Sequence, residues 1–88
     1  GEEINIMAKI YVTDKEYKAD LKVCEVRDYK ADMKYWLTDK EYKAKGDAKW
    51  CYVKQEYKAD KKICWVKEHK ADLKVCEVSQ EYKAKGNF

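Results

Sequence analysis

The chain contains no proline and only three glycines among its 88 residues. Collagen-like repeats, proline-rich segments and Gly/Ser linkers need one or both of these residues in quantity, so none of them is present. The glycine-rich loops that hold phosphates in Rossmann and P-loop proteins need several closely spaced glycines. Gly1, Gly46 and Gly86 stand too far apart to form such a loop, which excludes both nucleotide-binding classes.

Long apolar segments are also missing. A transmembrane helix needs about 18 or more apolar residues in a row, and charged residues interrupt every stretch of this chain well before that length. The start, Gly1-Glu2-Glu3, has neither the basic nor the apolar region of an export signal. We therefore expect a cytoplasmic protein without a membrane segment.

Histidine occurs once, and the four cysteines are widely spaced. Zinc sites usually show paired ligands at close spacing, such as C-x-x-C, and no such pair occurs. An even number of cysteines permits disulfides, but a cytoplasmic chain keeps its thiols reduced. We predict no metal site, no cofactor, and free, mostly buried thiols that pack as small hydrophobic side chains. These residues are Cys24, Cys51, Cys64 and Cys76.

What the chain has in excess is charge of both signs. Charged residues make up 42% of it, against about a quarter in an ordinary domain. The 20 basic and 17 acidic residues nevertheless leave a net charge of only +3. Hydrophobic residues make up 45% and aromatic residues 14%, which is enough apolar material for a folded core. Length and composition predict one compact domain, residues 1–88, with a densely charged surface.

One short unit occurs six times, which indicates internal duplication. Residues 8–47 match residues 48–87 at 20 of 40 positions, so the chain consists of two similar halves of three units each. The fourth residue of each unit is lysine, the second is aspartate in five units, and each unit ends in an acid, an aromatic ring and a lysine. The units span residues 6–18, 19–30, 31–43, 46–58, 59–70 and 71–83.

Within a unit the apolar residues alternate, which is typical of a β-strand. Ala19, Leu21 and Val23 share one side of such a strand, and the charged residues between them share the other. The unit length leaves about six to eight residues for a strand and a short polar turn, of type I or with a single helical turn. The Asn-Gly or Asp-Gly order of tight hairpins is absent. We predict an all-β fold with short helical turns, and a solenoid-like or an intertwined path stays open.

The repeated phrase Tyr-Lys-Ala-Asp-x-Lys-Val-Cys resembles that of the small bacterial domain known for a seven-crossing (septoil) torus knot. The resemblance covers residues 6–86. It implies a compact, β-rich monomer with a knotted backbone and no established biochemical activity. Two similar halves twisted about each other could supply the two strands of such a knot. The departures are Ile6-Met7 in place of Ala-Asp in the first unit and His69 in place of tyrosine in the fifth.

Single residues give little evidence of chemistry. His69 is the one candidate general base, but it occupies a slot that is tyrosine in the other units, which predicts an aromatic packing position. The cysteines share a slot with Tyr11 and Trp36, which also indicates packing, although neighbouring lysines keep a reactive Cys51 possible. Acids recur beside lysines and predict cross-strand ion pairs rather than catalysis. We assign no catalytic, cofactor-binding or metal-binding residue.

Two functions, neither of them catalytic, fit these patterns. The first is a compact, stable, non-enzymatic domain with a structural or interaction role. The alternative is a small binding module that uses a face rich in lysine and tyrosine to hold nucleic acid or an acidic protein. An acid accompanies nearly every lysine, which argues against nucleic acid. Trp36, Trp50 and Trp65 are predicted to lie in the core rather than to stack on bases.

Overall fold

The computed structural model describes residues 8–88, in which each of six short β-strands is followed by a 3-10 turn of three residues. The all-β fold with short helical turns is therefore confirmed, while the Ile6-Met7 departure lies outside the described residues. The strands are β1 (Ala8–Val12), β2 (Leu21–Glu25), β3 (Met33–Leu37), β4 (Lys49–Tyr52), β5 (Lys61–Trp65) and β6 (Leu73–Val78). The first to sixth turns are Glu16–Lys18, Asp28–Lys30, Glu41–Lys43, Glu56–Lys58, Glu68–Lys70 and Glu81–Lys83.

The six strands are all parallel, and they close into a barrel in the order β1-β4-β3-β6-β2-β5. Every hydrogen-bonded pair therefore joins one strand of the first half, β1 to β3, to one strand of the second half, β4 to β6. Hairpins would have produced antiparallel pairs between consecutive strands. The intertwined path that the sequence left open is the one observed.

The register is the same at all six strand pairs. The third residue of one unit lies opposite the fifth residue of its neighbour, as Met33 lies opposite Val75. Six offsets of two residues each advance the register by 12 residues around the barrel. An eight-stranded barrel with a shear of eight advances by only one residue per strand, so the strands here are tilted more steeply. Because the offset is uniform, equivalent residues of the six units lie at the same height in the barrel.

The fifth residue of each unit forms a buried middle layer. The third residues form a partly buried layer on one side of it, and the seventh residues form a largely exposed layer at the end where the strands finish. In the middle layer the Tyr35 and Trp50 rings stack with their centroids 4.1 Å apart. Phe88 packs on the core beside the third-residue layer, and its ring stacks on Trp50 at 6.1 Å. The six middle-layer residues are all buried: Ile10, Val23, Tyr35, Trp50, Ile63 and Val75.

The strands hold four to six residues, fewer than predicted, because the aspartate near the start of a unit belongs to the connection. The Asp60 N–H donates to the Lys9 carbonyl at 2.8 Å, and the Asp60 carboxylate accepts the Lys9 N–H at 3.1 Å. These aspartates therefore fasten four of the five connections to a neighbouring strand, and the prediction that they form ion pairs is wrong. The same exchange joins Asp20 to Lys62, Asp32 to Lys74, and Asp72 to Lys22.

Each half ends at a glycine with a positive φ angle, 105° at Gly46 and 112° at Gly86, which other residues adopt only with strain. After Gly46 the chain enters β4 directly beside β3, whereas every other connection passes over one strand. Before Gly86 the tail pairs with the start of β3 through an antiparallel bridge between Lys85 and Lys34. Among the described residues, no helix is long and apolar enough to cross a membrane.

Candidate functional site

The most exposed aromatic side chains lie on the 3-10 turns. Each turn is closed at both ends by backbone bonds, as where Lys58 and Ala59 donate to the carbonyls of Gln55 and Glu56. The middle residue is left facing solvent. Five tyrosines there are 63–83% exposed, and His69 is exposed on the fifth turn. The packing role predicted for His69 is therefore wrong. We call these six side chains the outer ring: Tyr17, Tyr29, Tyr42, Tyr57, His69 and Tyr82.

The glutamate that opens a turn pairs with a lysine, which lies on a strand in four of the five pairs. The Lys62 Nζ lies 3.2 Å from a Glu56 carboxylate oxygen, and the Lys49 Nζ lies 3.3 Å from one of Glu81. The predicted ion pairs therefore exist, but glutamates of the turns form them. The other three pairs are Lys9 with Glu41, Lys70 with Glu16, and Lys74 with Glu68.

The lysine that closes a turn has a different environment. Among the described residues only Lys70 of the six closing lysines forms an ion pair. The acids that accompany lysines in the sequence are thus engaged elsewhere, the aspartates by backbone N–H groups and the glutamates by lysines. An exposed aromatic ring and a lysine free of an ion pair consequently stand side by side on five turns. These lysines are Lys18, Lys30, Lys43, Lys58 and Lys83.

A groove of about 790 Å³ lies where β3, β6 and the second and sixth turns meet. Four basic and two acidic residues line it, which gives its walls a net charge of +2. Arg27 is the only arginine of the chain, and its planar guanidinium suits two-point binding of a phosphate. The charged lining residues are Arg27, Asp28, Lys34, Glu77, Lys83 and Lys85.

Lys85 gives this groove its positive charge. The fourth-residue lysine Lys34 exchanges both backbone hydrogen bonds with Lys85, each at 2.8 Å. At Lys9, Lys22, Lys62 and Lys74 the equivalent partner is an aspartate. A cation therefore replaces an anion at this one crossing. Sequence reasoning missed the groove. The available signal was that Ala84-Lys85 follows the last unit, and Ala44-Lys45 the third, where Ala-Asp follows the other four.

The thiols lie where packing positions were expected. All four cysteines are free; Cys51 and Cys64 are buried, and Cys24 and Cys76 are half-buried. Burial raises the pKa of the Cys51 thiol, Glu41 and Asp39 raise it further, and Lys9 opposes them. Burial and then Asp28 likewise raise the pKa of Cys76, which lines the groove. Both thiols are protonated at neutral pH, so the neighbouring lysines do not activate Cys51.

The end of the barrel at which the strands finish carries a negative field. The Tyr35 hydroxyl donates to a Glu25 carboxylate oxygen at 3.3 Å. Burial, then Tyr52, Glu25 and Glu77, raises the pKa of Tyr35 far above that of a free tyrosine. Burial, then Glu77 and Glu25, also raises the pKa of Tyr52. Among the described residues, no group of three or more His, Cys, Asp or Glu side chains could hold a metal ion.

The three tryptophans occupy three different environments. Trp50 is fully buried in the middle layer, where its indole N–H donates to the Asp47 carbonyl at 2.6 Å. Trp36 is half-buried, and Trp65 is 37% exposed in the seventh-residue layer. The predicted core position is therefore confirmed for Trp50, and the same prediction is wrong for Trp65.

These features define a class of protein: a closed parallel barrel of two interleaved halves, with aromatic residues displayed on its turns. A family model described as the 7(1) septoil knot domain matches residues 7–87. The chain belongs to this family, so the knotted fold implied by the resemblance is confirmed. No curated protein and no solved structure matches the chain.

Proposed function

We propose that the domain is a non-enzymatic interaction module that binds its partner through the outer ring and the lysines beside it. The observation that carries this proposal is a contrast between two repeat positions. The middle-layer position is buried in all six units and holds four residue types. The outer-ring position is exposed and holds tyrosine in five units of six.

Packing does not account for this uniformity, because a ring that is 63–83% exposed contributes little to the core. A partner that covers the rings does account for it. Tyrosine is enriched in binding surfaces, since its flat ring offers a large contact area and its hydroxyl a hydrogen bond. The outer ring therefore has the composition of an interaction surface.

The charge around the outer ring favours an anionic partner. Lys18, Lys30, Lys43, Lys58 and Lys83 carry the positive charge next to the exposed rings. The glutamate of each of the five turns that begin with one is drawn to a lysine. The resulting surface alternates aromatic and cationic groups, although the net charge of the whole chain is only +3.

The absence of catalysis is part of the same proposal. His69 stands on an exposed turn, and the raised pKa values of Cys51 and Cys76 make poor nucleophiles of their thiols. We also propose a monomer in the cytoplasm, where four free cysteines would stay reduced.

The interleaved halves support a second, structural role. Because each strand is paired only with strands of the other half, a pulling force at either end must draw the chain through its own knot. We expect an unfoldase-driven protease that starts at one end to degrade this domain more slowly than an unknotted β domain of equal stability. Equal degradation rates would refute the structural role.

The interaction module is tested by comparing three immobilised proteins in a pull-down from lysate at low and moderate salt. The first is the unaltered chain, and the second replaces the five outer-ring tyrosines by serine. The third replaces them by phenylalanine, which keeps the rings. Bound proteins and nucleic acids are identified together. We expect a partner that the first and third proteins retain at moderate salt and the serine variant loses.

Circular dichroism and melting of the serine variant serve as the control for folding. Since the five side chains are exposed, both should resemble those of the unaltered chain. Capture of the same molecules by all three proteins would contradict the proposal.

A further inference from the structure

We infer that the groove between the second and sixth turns binds the backbone of a single-stranded nucleic acid, with bases stacked on Tyr29 and Tyr82. This inference rests on the proposed function, whose partner it names. In the groove, Lys34 pairs with a lysine where Lys9, Lys22, Lys62 and Lys74 pair with an aspartate, and two exposed rings are the sequence neighbours of groove-lining residues. Both are properties that a flexible, anionic chain of bases requires.

The cations of the groove are placed to hold phosphates. Arg27 precedes the second turn, and Lys83 closes the sixth. Lys34 and Lys85 are joined by two backbone hydrogen bonds. No described carboxylate lies within ion-pair distance of any of these four side chains. They are consequently available to phosphate oxygens, even though Asp28 also lines the groove.

The two aromatic rings belong to residues that adjoin the groove lining in sequence, and Tyr82 also lines a neighbouring groove with Trp36. Asp28 and Lys83 line the groove between the second and sixth turns, and Tyr29 and Tyr82 are their direct neighbours in sequence, 75% and 80% exposed. Stacking of a base on such a ring is worth about 1–3 kcal/mol and depends little on the base. In a duplex the base faces are already stacked on one another, so only a single strand can use the rings.

An acidic protein segment would match the same charges but would leave the aromatic faces without a matching partner. The sequence argument against nucleic acid was the acid that accompanies nearly every lysine. That argument does not apply to the groove. The repeat aspartates accept hydrogen bonds from backbone N–H groups rather than pairing with lysines, and in the groove Lys85 occupies the position that an aspartate has elsewhere. The observations therefore favour the nucleic acid.

The test measures fluorescence anisotropy of short labelled oligothymidine and oligouridine at about 50 mM and about 200 mM salt. The groove variant combines Arg27→Gln with Lys83→Gln. Its matched control combines Lys67→Gln with Lys54→Gln. This removes two exposed charges that hold the repeat position of Arg27 but lie outside the groove and outside the set of lysines beside the outer ring. We expect the groove variant to bind at least about ten-fold more weakly, and its salt slope to fall by about 1.4. The control should change binding less than about three-fold.

A second pair of variants tests the stacking. Tyr29→Ala with Tyr82→Ala should weaken binding at least about ten-fold, which corresponds to the lower end of base stacking. Tyr17→Ala with Tyr57→Ala removes two equally exposed rings away from the groove and should weaken binding less than the groove pair does. Equal losses in both pairs would mean that binding is spread over the outer ring, which overturns the groove while leaving the proposed function intact.

Alkylation of the thiols gives a readout inside the unaltered protein. Cys76 lines the groove and Cys24 does not, although both are half-buried at the same repeat position. Bound oligonucleotide should slow the alkylation of Cys76 and leave that of Cys24 unchanged.

Duplex DNA that binds as tightly as the single strands would overturn the inference. So would a failure of all nucleic acids to bind at low salt; if the pull-down then still yields a tyrosine-dependent partner, the interaction module stands without it.

Discussion

The inside and the outside of this barrel follow opposite rules of repetition. In the middle layer, six equivalent positions hold side chains that range from valine to tryptophan. In the outer ring, five of six hold the same tyrosine. Core positions can vary because neighbours compensate in volume. Trp50, the largest middle-layer residue, has Ala8 opposite it on β1 and Ala48 two residues before it in the chain.

The outer-ring side chains have no neighbours of this kind, so compensating changes of volume cannot explain which residues occupy these positions. A tyrosine lost there leaves no cavity, and a tyrosine kept there fills none. Whatever maintains the side chain acts on each turn separately. The comparison therefore teaches that the barrel is specified collectively, and that the outer ring needs an explanation at each turn separately, which the proposed interaction module would supply.

The largest expected effect comes from separating the two halves. Residues 1–45 and 46–88, made as independent chains, should each be unfolded, because no strand has a partner within its own half. Far-UV circular dichroism and amide hydrogen exchange would measure this, with the intact chain as the reference. A half that folds by itself as a monomer would show that strand pairing between halves is not what holds the barrel together.

Two alanine variants test whether a core ring and an outer-ring side chain contribute differently to stability. Trp50→Ala removes a fully buried ring that contacts Tyr35 and Phe88, and should lower the free energy of unfolding by about 3–5 kcal/mol. Tyr57→Ala removes the most exposed ring and should change it by less than about 0.5 kcal/mol. Denaturant titrations, incubated until unfolding and refolding curves coincide, would measure both. Similar losses would mean that the outer ring supports the fold after all.

The strands could be predicted from the sequence because their evidence is local. The alternation at Leu21 and Val23 and the polar connection after each strand are readable within one unit. The strand order could not be predicted, since an alternating pattern says which side of a strand is buried but not which strand lies beside it. The bonds that fasten Asp20 to Lys62 join residues of different halves. Such bonds are visible only once the chain is wound.

The candidate site was only partly predictable for a related reason. The repeated tyrosine and lysine were recognisable as a possible binding face. The sequence could not show that the middle residue of a three-residue turn faces outward, so a repeated aromatic residue was interpreted as packing at His69. The groove has both Arg27 of the first half and Lys85 of the C-terminal tail in its lining, and no periodicity in the sequence predicts that they share it.

The two glycines that end the halves give the next largest difference. Gly46→Ala places a side chain at a φ of 105° with no atom within 4 Å of the new Cβ, so only conformational strain of about 1 kcal/mol is expected. Gly86→Ala adds a steric conflict, because its Cβ would lie 3.0 Å from the Met33 Cα and 3.1 Å from the Asp32 carbonyl oxygen. It should cost more, about 2–3 kcal/mol. Denaturant unfolding of both variants would measure this, and a costlier Gly46→Ala would contradict it.

A smaller difference separates the two kinds of acid. Asp60→Ala removes the carboxylate that accepts the Lys9 N–H and should lower the free energy of unfolding by about 1 kcal/mol. Glu56→Ala removes an ion pair with Lys62 between partly exposed side chains and should lower it by less than about 0.5 kcal/mol. Thermal melts in low and high salt would distinguish them, since only the second loss should shrink as salt screens the charges. A larger loss from Glu56→Ala would reverse the roles assigned to the two acids.

The smallest effect at neutral pH is expected for Tyr35→Phe, which removes a single hydroxyl bonded to Glu25 at 3.3 Å. Its consequence grows in alkali. Because the folded chain raises the pKa of Tyr35, the unfolded chain releases that proton first, at about pH 10. The stability that the protonated hydroxyl contributes is complete below that pH and is lost as the pH rises towards the folded pKa.

Tyr35→Phe should therefore lose less stability than the unaltered chain between about pH 9.5 and 11, while both have similar stability at neutral pH. Denaturant midpoints across this range would provide the measurement, read from circular dichroism because tyrosine ionisation changes the fluorescence. Parallel profiles would show that the buried hydroxyl ionises as easily in the barrel as in the unfolded chain. In that case neither burial nor the nearby Glu25 and Glu77 carboxylates would oppose ionisation of the Tyr35 hydroxyl.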